Sequence, residues 1–187
     1  MNESSERRER YRRFEDRKTA LMLAVHEVLF DEPPGPTRDA SLLSKLKEDF
    51  CVSRAAMLRF EGSGEAAPPR IAAAVCDDGA APFLAALDGE GAAVLFELHG
   101  RNSGALTLTK FRRPSAFSSE AWARLWEAEL GEAFTALLSV ELNVQRAPRT
   151  LLWLLLENTS REWNSHDREL AEDVARLLGR AADRALG

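Results

Sequence analysis

The sequence predicts an α+β protein, with β-strands in its body and a long helix at each end. Two apolar segments, Ala136–Val144 and Thr150–Asn158, are separated by a short polar turn and have the length of strands. A capped amphipathic helix, Glu162–Leu186, follows them. A second amphipathic helix opens the chain, so helices at both ends are available to cover the strands.

Composition is typical of one globular domain. The chain has 187 residues, 45% of them hydrophobic, and a formal net charge of −5. A small net negative charge argues against a nucleic-acid partner, because binding of nucleic acid requires a basic face. Because the N-terminus is densely charged and no apolar run approaches the roughly 20 residues of a membrane span, we expect a cytoplasmic protein without a membrane partner. The two cysteines, Cys51 and Cys76, have apolar neighbours and are predicted to be buried thiols.

The first helix is predicted over Glu6–Phe30, which contains neither glycine nor proline. Its apolar residues recur at intervals of three and four, with one charged interruption at Lys18. Acidic residues are interleaved with the arginines of its first half, which favours a solvated face over a nucleic-acid or lipid contact. We therefore divide the chain into a charged extension, 1–18, and a folded domain, 19–187.

The body follows a Pro- and Gly-rich break at 31–36. In chain order, it is predicted to contain a helix over Ala40–Phe50, strands over Ser53–Glu61 and Arg70–Asp77, helical turns over Pro82–Leu87 and Gly91–His99, a strand over Gly104–Lys110 and a helix over Phe117–Ala133. The last of these begins at a serine cap and carries Trp122 and Trp126 at helical spacing, which is more typical of packing than of a cofactor site.

The closing helix has a well-defined start, with Asn164 as its N-cap and Asp167 three residues later. Its apolar stripe is about as long as that of the first helix, so the terminal helices are expected to pack together, and in a dimer they would form a four-helix bundle. The residues predicted to form the dimer interface are Tyr11, Phe14, Leu21, Val25, Val28, Leu170, Val174 and Leu177.

The phrase Trp163-Asn-Ser-His-Asp-Arg-Glu-Leu170, following the two apolar strands, resembles the C-terminal part of a GAF domain. The resemblance implies a central antiparallel sheet with the long terminal helices on one face. Short helices and loops would form a ligand pocket on the other, as in related PAS-like folds. The sequence departs from the family where Glu141 replaces a frequent proline and Leu152 a usual glycine. GAF domains are small-molecule sensory and dimerisation modules, so this class is expected here.

The residues of the candidate pocket come from two arguments. Alternation in Ala136–Val144 puts Ser139, Glu141 and Asn143 opposite its leucine- and valine-rich face, where they either meet a ligand or are simply solvated. The resemblance adds residues on segments that border the pocket in the family: Arg59, Phe83, Phe96, His99 and Arg101. Arginines beside aromatic rings favour a small, flat anionic or nucleotide-like ligand.

We expect no catalytic activity, metal or cofactor. The three histidines are far apart, and the sequence contains no phosphate-binding loop, Ser-His-Asp set or paired-carboxylate site. The expected function is a sensory module that signals as a dimer through its terminal helices to a partner protein. An alternative is a dimerisation or docking platform without a ligand. A GAF-type methionine sulfoxide reductase is a distant third, because that branch requires a cluster of reactive cysteines.

Overall fold

The computed structural model describes residues 3–61, 70–76, 90–101, 104–130, 132–142, 144–145, 149–157 and 159–185. Its helices are α1 (Glu3–Asp31), α2 (Pro36–Phe50), α3 (Glu90–Arg101), α4 (Ser119–Arg124) and α5 (Ser165–Ala185). Its strands are β1 (Arg54–Glu61), β2 (Arg70–Cys76), β3 (Leu106–Thr109), β4 (Phe134–Leu142) and β5 (Thr150–Glu157). A π-helical segment, Leu125–Glu129, continues α4.

The strands form one sheet in the order β2-β1-β5-β4-β3, and every neighbouring pair is antiparallel. The prediction of an α+β fold around a central antiparallel sheet is therefore confirmed. Strands β1 and β5 are distant in the sequence but pair in the middle of the sheet, with Met57 opposite Leu152. Within the described part of the chain, β3 lies at one edge of the sheet.

Each face of the sheet has its own hydrophobic cluster. On β4, Leu138, Val140 and Leu142 lie on the face covered by α1, α2 and α5, which we call the terminal-helix face. Leu137 lies on the opposite face with residues of α3, α4 and the π-helical segment, and we call this the α3 face. This is the alternation predicted for β4. Strand β5 is apolar on both faces, since residues 151–156 are all buried.

The terminal helices pack together, as predicted from their matching stripes. Phe14 of α1 stacks on His166 of α5, with ring centroids 4.3 Å apart. Lys18 interrupts the stripe because it bonds two acids of α5, Glu169 at 2.8 Å and Asp173 at 2.5 Å. These hydrogen bonds raise the pKa of Lys18 above its usual range, with the bond to Asp173 the larger cause. Lys18, the charged residue within the apolar stripe, therefore joins α1 to α5 through ion pairs.

This packing corrects the predicted dimer interface. The side chains of Phe14, Leu21, Val25, Leu170 and Val174 are all buried within a single chain. Val28 and Leu177 are partly buried against the same cluster, whereas Tyr11 is 61% exposed. A stripe already covered by α2, α5 and the sheet cannot also face a second copy, so most of these residues belong to the core.

The start of α5 is anchored by a reciprocal cap. Asp167 N donates to Asn164 Oδ1 at 3.0 Å, and Asn164 N donates to Asp167 Oδ2 at 3.3 Å. Asp167 is only 1% exposed and also meets Arg161 at 3.4 Å and Arg17 at 3.8 Å. The predicted capping box is present, and it also ties α5 to α1.

Some predicted boundaries differ from those observed. Helix α1 spans Glu3–Asp31, slightly longer at both ends than the predicted Glu6–Phe30, and α2 begins at Pro36, before the predicted Ala40, because proline suits the first turn of a helix. The helix predicted over Phe117–Ala133 is shorter, since α4 begins at Ser119 and its π-helical continuation ends at Glu129. The segment predicted over residues 82–87 lies outside the described residues.

Cys51 is exposed, so its predicted burial is wrong. It occupies the C-cap of α2 with a left-handed φ of 49°, which turns the chain out of the helix and places the side chain at the surface. The side chain of Cys76 lies outside the described residues. None of the described helices combines the length and apolarity needed to cross a membrane.

Candidate functional site

A buried polar pair joins α3 to the sheet. His99 Nε2 lies 2.8 Å from Ser139 Oγ, and the two residues are 5% and 0% exposed. Ser139 reaches this position because the alternation of β4 directs it to the α3 face. His99 reaches it from the last turn of α3. The sequence predicted both residues as site candidates, and the structure brings them into direct contact.

His99 is neutral at physiological pH. Burial lowers its pKa from 6.5 to about 4, a shift opposed by the charge of Glu141 and reinforced by that of Arg149. Its second ring nitrogen, Nδ1, is buried and has no hydrogen-bond partner among the described residues. A neutral imidazole with one free nitrogen can donate or accept one further hydrogen bond.

A second polar group lies next to this pair. Arg149, just before β5, forms a bidentate ion pair with Glu141 of β4 in which Nη2 donates to Oε2 at 2.7 Å and Nε donates to Oε1. The guanidinium carbon lies 3.8 Å from the ring centroid of Phe96 on α3, close enough for a cation–π interaction. Phe96 in turn packs 4.9 Å from Phe60 of β1. The charge of Arg149 is therefore balanced locally.

Two tryptophans add unused donors to the α3 face. Trp153 of β5 lies directly opposite Ser139 in the sheet register, and Trp126 is buried in the same hydrophobic cluster. The indole nitrogen of each is buried without a hydrogen-bond partner in the described part of the chain. Trp122, by contrast, donates to Lys110 O at 3.2 Å. With His99 Nδ1, three buried polar atoms of this face lack partners among the described residues, although native proteins leave few such atoms unpaired.

Other predicted site residues lie elsewhere. Arg59 belongs to the terminal-helix face, where it pairs with the buried Asp39 of α2, because β1 alternates and Arg59 follows Met57 by two positions. Arg101 is exposed at the end of α3 and lies 3.5 Å from Glu97. Neither arginine belongs to the His99 group, by which we mean His99, Ser139, Glu141 and Arg149. Phe83 and Asn143 lie outside the described residues.

Sequence reasoning missed Arg149 and assigned the tryptophans only to packing. A signal for Arg149 was available, since extending the alternation of β5 back from Trp153 through Leu151 reaches Arg149 on the same face. Its contact with Glu141 is the diagonal one, because the residue directly opposite Glu141 is Leu151. Nothing in the sequence indicated that the two indole nitrogens would lack partners.

Among the residues that the structure describes, the site brings together neither an activated nucleophile nor a set of metal ligands. Ser139 is fully buried, and no carboxylate bonds the second nitrogen of His99 among the described residues. A serine nucleophile requires both access and an oriented base. No group of three or more His, Cys, Asp or Glu side chains in the described ranges is placed to hold a metal ion. The arrangement is suited to hydrogen bonding within an apolar and aromatic surrounding.

No family model matches the chain, and no curated protein matches it by sequence. Solved structures do match. The nlh2 GAF domain of A. aeolicus in an inactive state has a TM-score of 0.53 and 15% identity, covering 92% of this chain and 97% of that one. The GAF domain of a phosphoenolpyruvate-protein phosphotransferase from Coxiella burnetii has a TM-score of 0.56 and 10% identity, covering 90% and 96%.

A third similar structure is the N-acylhomoserine lactone dependent LuxR family transcription factor CepR2 of Burkholderia cenocepacia. Its TM-score is 0.62 at 10% identity, and the match covers 90% of this chain and 94% of that one. At these identities the likeness concerns the fold alone. The chain has the GAF fold, with an antiparallel sheet between terminal helices and a second, aromatic-rich layer.

Proposed function

We propose that this chain is a non-catalytic, cytoplasmic sensory module that binds a small molecule at the α3 face and signals through its terminal helices. The observation that carries the proposal is the set of three buried polar atoms that have no partner among the described residues, His99 Nδ1, Trp126 Nε1 and Trp153 Nε1. A ligand that supplies their hydrogen bonds would remove an energetic cost of about 1–3 kcal/mol for each atom. The GAF fold supports this reading.

The same atoms define the chemistry of the ligand. Indole nitrogens only donate, so the ligand must offer acceptors such as carbonyl oxygens or ring nitrogens. His99 is neutral and Arg149 is already paired with Glu141, so the described site carries no net charge. Because Arg59 and Arg101 lie elsewhere, the proposed ligand is a flat, neutral, carbonyl-bearing ring and not the anion expected from the sequence.

A path for the signal follows from the alternation of β4. Ser139 meets the ligand-binding side, whereas its neighbours Leu138 and Val140 pack in the cluster that contains Val174 of α5. A shift of β4 on ligand binding would therefore change the support of α5. Lys18 would carry that change to α1 through its bonds to Glu169 and Asp173.

The test combines a thermal-shift screen of neutral, carbonyl-bearing ring compounds with ¹⁵N-indole NMR of the full chain. A ligand at a hundred times its Kd should stabilise the protein by about 2.7 kcal/mol. We expect a compound that binds to move the Trp126 and Trp153 indole resonances and to leave that of Trp163, on the terminal-helix face, unchanged.

The Trp153→Phe variant should lose most of the affinity for such a compound. Trp122→Phe removes an indole donor that already bonds Lys110 O, so it serves as the matched control. The proposal fails if no compound stabilises the chain, or if Trp153→Phe binds as tightly as the wild type.

A dimerisation platform is the second candidate, favoured by an apolar groove on the outer side of the terminal helices. The groove has a volume of about 450 Å³ and is lined by Met22, Leu23, His26 and Leu177, among others. Leu23 is 59% exposed. Since exposed apolar surface of this kind often marks an interaction site, a second copy of the chain is the proposed occupant.

A further inference from the structure

A second groove, of about 480 Å³, lies at the sheet edge away from the His99 group. Its walls include Thr107 and Thr109 of β3, Arg112 and Ser115 of the following loop, and Glu162 and Trp163 before α5. Thr107 and Thr109 lie opposite Leu138 and Ala136 of β4, which belong to the terminal-helix face. Directly opposed residues share a face, so Thr107 and Thr109 face the opposite side of the sheet from His99, whereas Leu108, which also lines the groove at this edge, belongs to the α3 face.

The groove gathers hydrogen-bond donors that have no partner in the described part of the chain. The hydroxyls of Thr107, Thr109 and Ser115 and the guanidinium of Arg112 make no hydrogen bond or ion pair with the described residues. Trp163 Nε1 is buried and equally without a partner there. A buried donor without a partner is costly, which indicates that something outside the described chain completes the site.

The charge of the groove is positive although the whole chain carries −5. Two arginines, Arg112 and Arg113, line it together with a single acid among the described lining residues, Glu162. Arg113 is held in place because it donates to Phe117 O, whereas Arg112 is free to bind. Free arginine beside hydroxyl groups is a combination suited to oxyanions.

We propose that this groove binds the phosphoryl group of a small phosphorylated metabolite. A phosphoryl group offers three acceptor oxygens, which matches several donors around one groove better than a carboxylate does, and its charge matches two arginines. The volume lies within the usual range of about 300–1,000 Å³ for small-molecule sites, so it can hold more than the phosphoryl group. Glu162 then faces the uncharged part of the metabolite, where hydroxyl groups can donate to it. The site is independent of the function proposed for the α3 face.

The test follows the indole resonance of Trp163, assigned with Trp163→Phe, while inorganic phosphate is added to the full chain at constant ionic strength. We expect a saturable movement of this resonance, with those of Trp126 and Trp153 unchanged. Arg112→Gln should weaken binding about tenfold, as expected for the loss of one charge-assisted hydrogen bond. Arg124→Gln, an equally exposed arginine outside the groove, should bind as the wild type does.

Titrations with glycerol 3-phosphate and adenosine monophosphate separate the two sources of the phosphoryl group. If either ester binds more tightly than inorganic phosphate, the ligand is a phosphorylated metabolite, as proposed. If both esters bind equally or more weakly, the assignment to a metabolite is overturned in favour of free phosphate. Phosphoryl recognition itself is overturned if potassium chloride gives the same response, if Arg112→Gln binds with unchanged affinity, or if no saturable movement occurs. Movement of Trp126 or Trp153 in place of Trp163 overturns it as well, because it would locate the binding at the α3 face.

Discussion

The side chains of His99 on α3 and Ser139 on β4 share a 2.8 Å hydrogen bond inside the protein, the only side-chain hydrogen bond described for either residue. The bond connects a helix of the second layer to β4, between β5 and the edge strand β3, at a buried position. Because His99 is neutral, the pair contributes hydrogen bonding without bringing a charge into the interior. Its removal should therefore affect both stability and the proposed ligand site.

We expect Ser139→Ala to lower the free energy of unfolding by about 1–3 kcal/mol, because it leaves buried His99 without a described partner at either ring nitrogen. Urea denaturation measures the change. Ser160→Ala, at an exposed serine, should stay within about 0.5 kcal/mol of the wild type. The loss should be smaller when Ser139→Ala is introduced into a His99→Leu background. An equal loss in both backgrounds would show that the hydrogen bond contributes nothing.

Acid should destabilise the protein through His99. Between pH 6.5 and about 4 the unfolded state binds a proton at this residue that the folded state does not, so stability falls as the pH falls through this window. The full loss corresponds to about 3 kcal/mol. Urea denaturation from pH 7 to 4 should show a steeper decline for the wild type than for His99→Gln, which cannot titrate. Parallel pH profiles would contradict the assignment.

Asp167 should contribute far more to stability than its neighbour Glu169. Asp167 is buried and joins the cap of α5 to Arg161 and Arg17, so Asp167→Ala should cost about 2–4 kcal/mol. Lys18 pairs with two acids, Glu169 and Asp173, and Glu169 is solvent-exposed. Glu169→Ala leaves the pair with Asp173 intact, so it should lower the free energy of unfolding by less than about 1 kcal/mol. Thermal unfolding of the two variants provides the comparison, and similar losses would show that burial at Asp167 is unimportant.

If the chain dimerises, it should do so through the outer groove of α1. Leu23→Glu is expected to give a folded monomer in light scattering, because it places a charge in that groove without touching the core. Val25→Glu, two residues away and fully buried, should instead unfold the chain. A wild-type chain that is monomeric at high micromolar concentration would rule out the dimer, and a dimer that survives Leu23→Glu would place the interface elsewhere.

Local patterns in the sequence were sufficient for the class of fold. The alternation of β4, the cap at Asn164 and the stripe of α5 depend on neighbouring residues alone, and all three are present in the structure. Arg59 was misplaced because its strand was predicted without deciding which face each residue occupies. Cys51 was misplaced because apolar neighbours do not reveal that the residue ends a helix in a left-handed conformation.

The order of the described elements, the capped start of α5 and the polar side of β4 could be predicted from the amino-acid sequence, because each follows from spacing along a few turns or strand residues. The pairing of β1 with β5, the balance of Arg149 by Glu141 and the covering of the α1 stripe within one chain could be seen only in the folded structure. These are contacts between distant segments, and their geometry depends on how the layers pack, which no local pattern encodes.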